Sequence, residues 1–460
     1  MAADHPLYAE YYASGKARRQ VCHRVEQADV TLAPGRDPVA MLAASSDGRV
    51  PELIPLRHGR MLASPFAFFR GMAMMQAADL ASRPASGIDI QLCGDAHLMN
   101  YGFYASPERT LVFDINDFDE THPGPWEWDV KRLATSLVLA ARSRGFSEAA
   151  AGETVRQAVQ TYRHRTHHFA CMGQMDIWYS RISFDNLLDM AQEPALRDTL
   201  LKLAERARNR TNERLLPKIT ADENGQLRLR DAPPVLFHGG EDAPIRSESW
   251  PSGADWREQA DAMLHSYRTT LKEDRAELVR RFRLVDLAFK VVGVGSVGTR
   301  CLVALLQDSY DAPLFLQLKE ARASVLEPFT RGSIHSNQGR RVVFGQRLMQ
   351  AASDLFLGWT RGPDGRDYYV RQLRDMKVTI APEDFSVETL TAYGQACAWA
   401  LARAHAKSGG RAAEIAGYLG QTSRFEDALV QYARRYADQT ESDYERFRQA
   451  VRDGRLQADA

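Results

Sequence analysis

Cysteine is scarce in this chain: Cys22, Cys93, Cys171, Cys301 and Cys397 are the only five in 460 residues. Their number is odd and no two form a CxxC pair. The sequence therefore offers neither a disulfide framework nor a thiolate zinc site, and reduced thiols in a reducing compartment are the expectation. Net charge is missing too, with 59 Lys and Arg against 59 Asp and Glu. A dedicated nucleic-acid binder needs a clustered excess of Lys and Arg to meet phosphates, so that class is not expected. No apolar run reaches the roughly 18 residues that span a bilayer. The opening MAADHPLYAEYY lacks an apolar signal core, so no membrane partner is expected and a cytoplasmic location is. Repeats and long low-complexity tracts are absent as well.

What is present is an ordinary globular balance, 44% hydrophobic and 26% charged residues, over a length that predicts two or three lobes. Residues 1–50 read as a weakly patterned, partly helical extension. Residues 51–283 carry mainly helical spacing, with one buried helix over FAFFRGMAMMQAADL and others over 127–145, 148–172, 193–214 and 254–283. Short strands are expected at Ile88–Leu92 and Leu111–Ile115, and a hairpin turning at Asn224–Gly225 followed by an irregular loop to 250. Between about 284 and 380 the texture becomes β-rich, with a helical stretch at 337–353. Residues 381–460 are helical again, LTAYGQACAWALARAHA being the most apolar part. The class is α+β.

Two of those short strands run into residues that carry chemistry. The first meets CGDAHLMN, where Asp95 stands five residues before Asn100. The second meets FDINDFDE, where Asp117 opens an Asp-Phe-Asp step. Phosphoryl transfer of the protein-kinase type needs this set: one carboxylate (Asp95) to receive the acceptor's proton, and an amide oxygen (Asn100) with a second carboxylate (Asp117) to hold Mg²⁺. The competing reading makes Asp95 a helix cap, Asn100 a turn residue and Asp117 a surface acid. Asp114, Asp117, Asp119 and Glu120, joined by His97, could also form a hydrolytic metal site. No HxH or HExxH spacing supports that, so His97 is expected to structure the loop. Asp129, in WEWD, is either an anchor for the loop or a helix cap.

Gly293, Gly295 and Gly298 form a GxGxxG with Ser296 inside it. A dinucleotide fold would open a helix at the last glycine. Here Thr299–Leu306 is β-like, so a glycine-rich hairpin laid over nucleotide phosphates is the better match, with a plain turn as the alternative. The following strand leads to Lys319 in LQLKEA. A lysine among alternating apolar residues is costly to bury unless an anion meets it, and its expected role is the α- and β-phosphates; otherwise it sits on a solvent face. Arg57, Arg60 and Arg70 precede the first motif, and Arg371, Arg374 and Lys377 follow the strands. Guanidinium forks suit phosphate or carboxylate recognition, although surface arginines are common.

The order of these parts is inverted: glycine loop, lysine strand and apolar helix occupy 287–407, whereas catalytic and metal loops occupy 93–120. The ALARAHA helix resembles the one preceding the catalytic loop in aminoglycoside-phosphotransferase-like enzymes. Gly94, Asp95, His97 and Asn100 match their GDxHxxN, and Asp117 matches their metal-loop aspartate. Cutting such a fold after that helix and joining its old ends produces the observed order, a circular permutation of a two-lobed kinase-like fold. The chain as a whole resembles a bacterial family of uncharacterised proteins, the domain-of-unknown-function 2252 family. That resemblance rests on SPFAFFRG (64–71), LCGDAHLMNYG (92–102), VFDINDFDET (112–121), WEWDVKRLA (126–134), LQLKEA (316–321), GQRLMQAASD (345–354), YVRQLRDMK (369–377) and ARAHA (402–406). Two departures from the kinase-like pattern stand out. Cys93 takes the place of a histidine, and the helix after Lys319 has no acid to hold that lysine, leaving Glu327 and Gln346 as candidates. The expectation is an ATP- and Mg²⁺-dependent phosphotransferase acting on an unidentified, small hydroxyl acceptor. The alternatives are a nucleotide-binding regulatory protein, an AMP transferase and a metallohydrolase.

Overall fold

A computed structural model describes residues 6–191, 193–223, 226–239, 256–373 and 376–459. It is a mixed α+β structure in which a six-stranded sheet stands beside a larger helical body. Sheet order is Gly358–Arg361, Asp367–Gln372, Pro313–Glu320, Cys301–Gln307, Arg283–Lys290, Leu236–Phe237, and every neighbouring pair is antiparallel. Cys301–Gln307 is buried along its whole length. Alternation divides its apolar residues between two faces. Leu302, Ala304 and Leu306 meet the helices Trp256–Arg268 and Glu273–Arg280 through Met263, Tyr267 and Val279. Val303 and Leu305 join Phe315 on the opposite face. The same period sends Leu314, Leu316 and Leu318 towards the helices, and turns Gln317 and Lys319 the other way, towards the helical body.

That body is built around Glu127–Ser143, Glu148–Ala170, Val387–Gly409 and Arg424–Arg452. Glu127–Ser143 has 15 of its 17 residues buried. A helix covered on all sides must pair its polar groups internally, and Glu127, Asp129 and Arg132 do so. Two small antiparallel sheets complete it: Asp89–Leu92 with His122–Pro125, and Tyr101–Ala105 with Leu111–Ile115 and Ile182–Ser183. The N-terminal helix Pro6–Ala17 seats on Ala412–Leu419, where Arg19 donates to the Tyr418 carbonyl at 2.9 Å. Among the described residues no helix is long and apolar enough to cross a membrane.

Three expected helices divide. FAFFRGMAMMQAADL breaks at Met72 (φ −128°, ψ 49°) into Pro65–Gly71 and Ala73–Ala81. Arg57 takes up the Gly71 carbonyl there, at 3.0 Å. The 193–214 stretch becomes Pro194–Arg208 and Asn212–Ile219, and 254–283 becomes the two helices on the sheet. Thr220–Glu223 pairs with Gln226–Leu229 as the expected hairpin; its Asn224–Gly225 turn, Arg374 and most of the 231–250 loop lie outside the described residues.

Candidate active site

The strand Asp89–Leu92 delivers the chain into Cys93-Gly94-Asp95, and a buried carboxylate holds the turn. Asp129 accepts from the Cys93 and Gly94 amides at 2.7 and 2.9 Å. It is itself 3.2 Å from His405 Nε2, and His405 Nδ1 is 2.7 Å from the Tyr162 hydroxyl. Asp129 is thus the loop's anchor rather than a helix cap, and His405 of ALARAHA ties that helix to it. Gly94 has φ +85°, and a Cβ there would stand 2.1 Å from the Glu120 carbonyl oxygen. Only glycine allows the two loops to touch in this way.

Asp95 accepts from Arg132 Nε at 2.8 Å, and its other oxygen lies 3.7 Å from His97 Nε2. His97 Nδ1 accepts from the Met99 amide at 3.1 Å, so the ring proton belongs on Nε2, facing Asp95. Burial holds His97 down to about 3, against the pull of Asp95, so the ring is neutral. Its role is to shape the loop. The Asn100 side-chain nitrogen donates to the Asp95 carbonyl at 2.7 Å, which leaves its amide oxygen for another partner. Arg132 escaped the sequence reading, although its spacing of three from Asp129 places both on one helix face.

Lys319 is only 3% exposed, which removes the solvent-face reading. Its ammonium contacts Asp119 and lies 3.6 Å from Asp117. Tyr369, its neighbour across the sheet, donates its hydroxyl to Asp119 at 2.7 Å. Burial pushes the Asp117 carboxyl up, but Lys319, then Arg371 and Lys377, outweigh it and hold Asp117 well below the usual range. Burial likewise opposes the charge on Lys319, and Asp117 and Asp119 overcome it and raise its pKa. The acid that the following helix lacks is therefore supplied by Asp117 and Asp119 of the second motif. Neither expected candidate does this work. Glu327 accepts from the Ser333 amide at 3.2 Å, and Gln346 donates to Gln350 at 2.9 Å. The helix Gln338–Met349 instead offers Arg341, which donates to the carbonyls of Thr121 (2.5 Å) and Asp119 (2.8 Å) and so grips the same loop.

Two acids of the crowd are structural. Asp114 is fully buried against Arg403 at 2.8 Å and also accepts from the Ala351 amide. Glu120 accepts from the Val325 amide at 2.8 Å. Among the described residues no three His, Cys, Asp or Glu side chains could together hold a metal ion. The Asn100 amide oxygen and the Asp117 carboxylate, the latter about 30% exposed, are both oxygen donors. That donor set fits Mg²⁺, which takes one or two protein oxygens and completes its shell with water and phosphate.

Between this loop and the sheet lies a cleft of about 300 Å³, bordered by Asp117, Lys319, Gly293, Ser296 and Gln346. Three further cations reach it: Lys290, Arg371 and Lys377. Arg371 bonds Gln317 at 3.0 Å and the Asn116 carbonyl at 3.2 Å. The glycine segment connects the antiparallel strands Arg283–Lys290 and Cys301–Gln307, as a hairpin and not as a strand-to-helix turn. Ser296 Oγ reaches Asp119 at 3.4 Å, Arg60 donates to the Gly293 carbonyl at 2.6 Å, and Arg49 to the Val297 carbonyl at 2.6 Å. The glycine loop thus meets the 117–120 loop through Ser296 and is tied to the segment before the first motif by Arg49 and Arg60. Asp95 and Asn100 do not border the cleft; they lie beyond Asp117, joined to it through the Asn116 amide, which donates to the Asn100 carbonyl at 2.7 Å.

No curated protein and no solved structure matches the chain. A family model described as "Uncharacterized protein conserved in bacteria (DUF2252)" matches residues 49–450, and the chain belongs to that family.

Proposed function

We propose that this DUF2252 member is an ATP- and Mg²⁺-dependent phosphotransferase built on a circularly permuted, two-lobed kinase-like fold. What carries the reading is the meeting of Lys319 with Asp117 and Asp119 under the glycine loop, beside a cleft with a surplus of cations. Residues about 200 positions apart converge there, and their donors suit a nucleotide polyphosphate and a hard cation.

In this mechanism Lys319, Arg371 and Lys377 bind phosphate oxygens, and Lys319 exchanges part of its contact with Asp119 for the α- and β-phosphates. Asn100 and Asp117 would hold Mg²⁺, which when bound draws charge from the phosphate oxygens. Arg132 fixes the Asp95 carboxylate through one oxygen. The other oxygen accepts the proton of the acceptor hydroxyl as its oxygen bonds to the γ-phosphorus and ADP leaves. Most of the rate enhancement comes from positioning and charge neutralisation.

Thermal melting with ATP, with and without Mg²⁺, tests the nucleotide half, because a ligand that binds only the folded state raises its melting temperature. Asp117→Ala is expected to abolish the Mg²⁺-dependent shift, and Asp95→Asn to keep the shift while stopping transfer. Unaltered turnover in either variant would sink the assignment. The Arg132–Asp95 ion pair favours a second reading, a nucleotide-binding regulatory protein, which predicts the shift without transfer to any acceptor. Transfer of α-label rather than γ-label would identify an AMP transferase on the same site.

A further inference from the structure

Among Arg132 and the three arginines Arg57, Arg60 and Arg70 before the first motif, one differs. Arg57 bonds Ser46 Oγ at 2.9 Å and the Gly71 carbonyl at 3.0 Å; Arg60 bonds the Gly293 carbonyl; Arg132 bonds Asp95 and the Phe69 carbonyl. Arg70 makes no hydrogen bond or ion pair among the described residues. Its Nε is buried without a partner, and its guanidinium carbon lies 5.9 Å from the centre of the Phe66 ring. An unpaired, partly desolvated guanidinium is costly, and a bound anion would offset that cost.

Its position says which anion. Arg70 follows Phe69, whose ring stacks on Arg132 at 3.7 Å and whose carbonyl Arg132 binds, so Arg70 and Asp95 flank the same clamp. A side chain at Gly295 would come within 3.4 Å of the Arg70 carbonyl, which puts Arg70 beneath the tip of the glycine loop. Yet Arg70 does not border the cleft, which has Lys290, Lys319, Arg371 and Lys377 for the nucleotide. It shares the Asp95 side of the metal loop, where the acceptor must stand.

We propose that Arg70 is an anion subsite of the acceptor pocket, so that the acceptor carries a carboxylate or phosphate beside the hydroxyl presented to Asp95. The assignment of that pocket rests on the phosphotransferase reading; the anion site itself does not. The guanidinium fork receives two oxygens of the acceptor's anion, and this contact orients its hydroxyl.

The test uses the full chain saturated with Mg-ADP, titrated calorimetrically with inorganic phosphate and with malonate, in wild type, Arg70→Met and Arg70→Lys. At least one anion is expected to bind wild type. Affinity should fall roughly ten- to hundredfold in Arg70→Met and less in Arg70→Lys, which keeps charge but not the fork. Unliganded Arg70→Met should melt close to wild type, because no hydrogen bond or ion pair among the described residues is lost and only the long contact with the Phe66 ring changes; if it folds poorly, Arg70→Lys carries the comparison. Undiminished anion binding in the variants overturns the proposal, as does a wild type that binds neither anion. Weakened Mg-ATP with unchanged Mg-ADP also overturns it, by giving Arg70 to the nucleotide's terminal phosphate. If wild type binds anions through Arg70 but no nucleotide at all, the subsite stands and the phosphotransferase reading fails.

Discussion

Replacing Lys319 by Met removes a cation wedged between Asp117 and Asp119. The ammonium is 3% exposed, in contact with Asp119 and 3.6 Å from Asp117. Without it two carboxylates on one short loop face each other, with Lys290, Arg371 and Lys377 as positive groups still bordering the cleft. Removing one partner of a fully buried pair costs about 3–5 kcal/mol. The two carboxylates are 30% and 28% exposed, so water relaxes part of that penalty and about 2 kcal/mol is expected. The pH must keep both charges. Asp117 is held below its ordinary value of 3.8, so its share is present above that value and lost as pH falls through the folded value. Lys319 is raised above 10.5, so its share is present below 10.5 and lost only at higher pH. Neutral pH therefore reads the whole effect. Urea unfolding of Lys319→Met, Asp119→Asn and the double variant forms a cycle with an expected coupling of about 1–2 kcal/mol. The corresponding cycle with Glu327→Gln should show none, since Glu327 bonds Ser333. Equal costs of Lys319→Met in the wild-type and Asp119→Asn backgrounds would refute the pairing.

Two further outcomes follow from the same geometry. Burial, and then Arg371, push Lys377 down to about 7. The unfolded chain therefore binds more protons between that value and 10.5, and this lysine makes stability rise with pH across the window, by at most about 1.4 kcal/mol per unit. Lys377→Met should remove that slope in urea titrations at pH 7 to 9; an unchanged slope would assign it to other groups. Gly94→Ala puts a methyl group 2.1 Å from the Glu120 carbonyl oxygen at a positive φ, and should cost roughly 2–5 kcal/mol in unfolding experiments. A loss under about 1 kcal/mol would show that the two loops can separate freely.

Local periodicity made the strands at Leu111–Ile115 and 283–320 legible, together with the helices at 127 and 387, because burial on one or both faces repeats every two or every 3.6 residues. It failed at Met72, at Asn209–Thr211 and between the helices Trp256–Arg268 and Glu273–Arg280, where apolar spacing runs on through a break and tertiary contacts set the ends. The motif residues Asp95, Asn100, Asp117 and Lys319 stood out in the sequence because each pairs an unusual polar group with an apolar strand. Arg132, Tyr369 and Arg341 did not, since each acts only through a partner brought from elsewhere in the chain.

The sequence alone determined the mixed α+β class and the two loops that follow short strands, whereas the need for glycine at position 94 comes from the approach of the Glu120 carbonyl. The class and those loops depend on neighbours a few residues apart, whose sterics and alternation are written locally. Tertiary structure decided which charge meets which. Lys319 takes its acid from Asp119 rather than Glu327, Asp114 is spent on Arg403, and Arg70 has no hydrogen-bond or ion-pair partner among the described residues. Such choices follow from sheet register and helix packing across 200 to 300 residues, and Coulomb energy depends on distance in space, not along the chain.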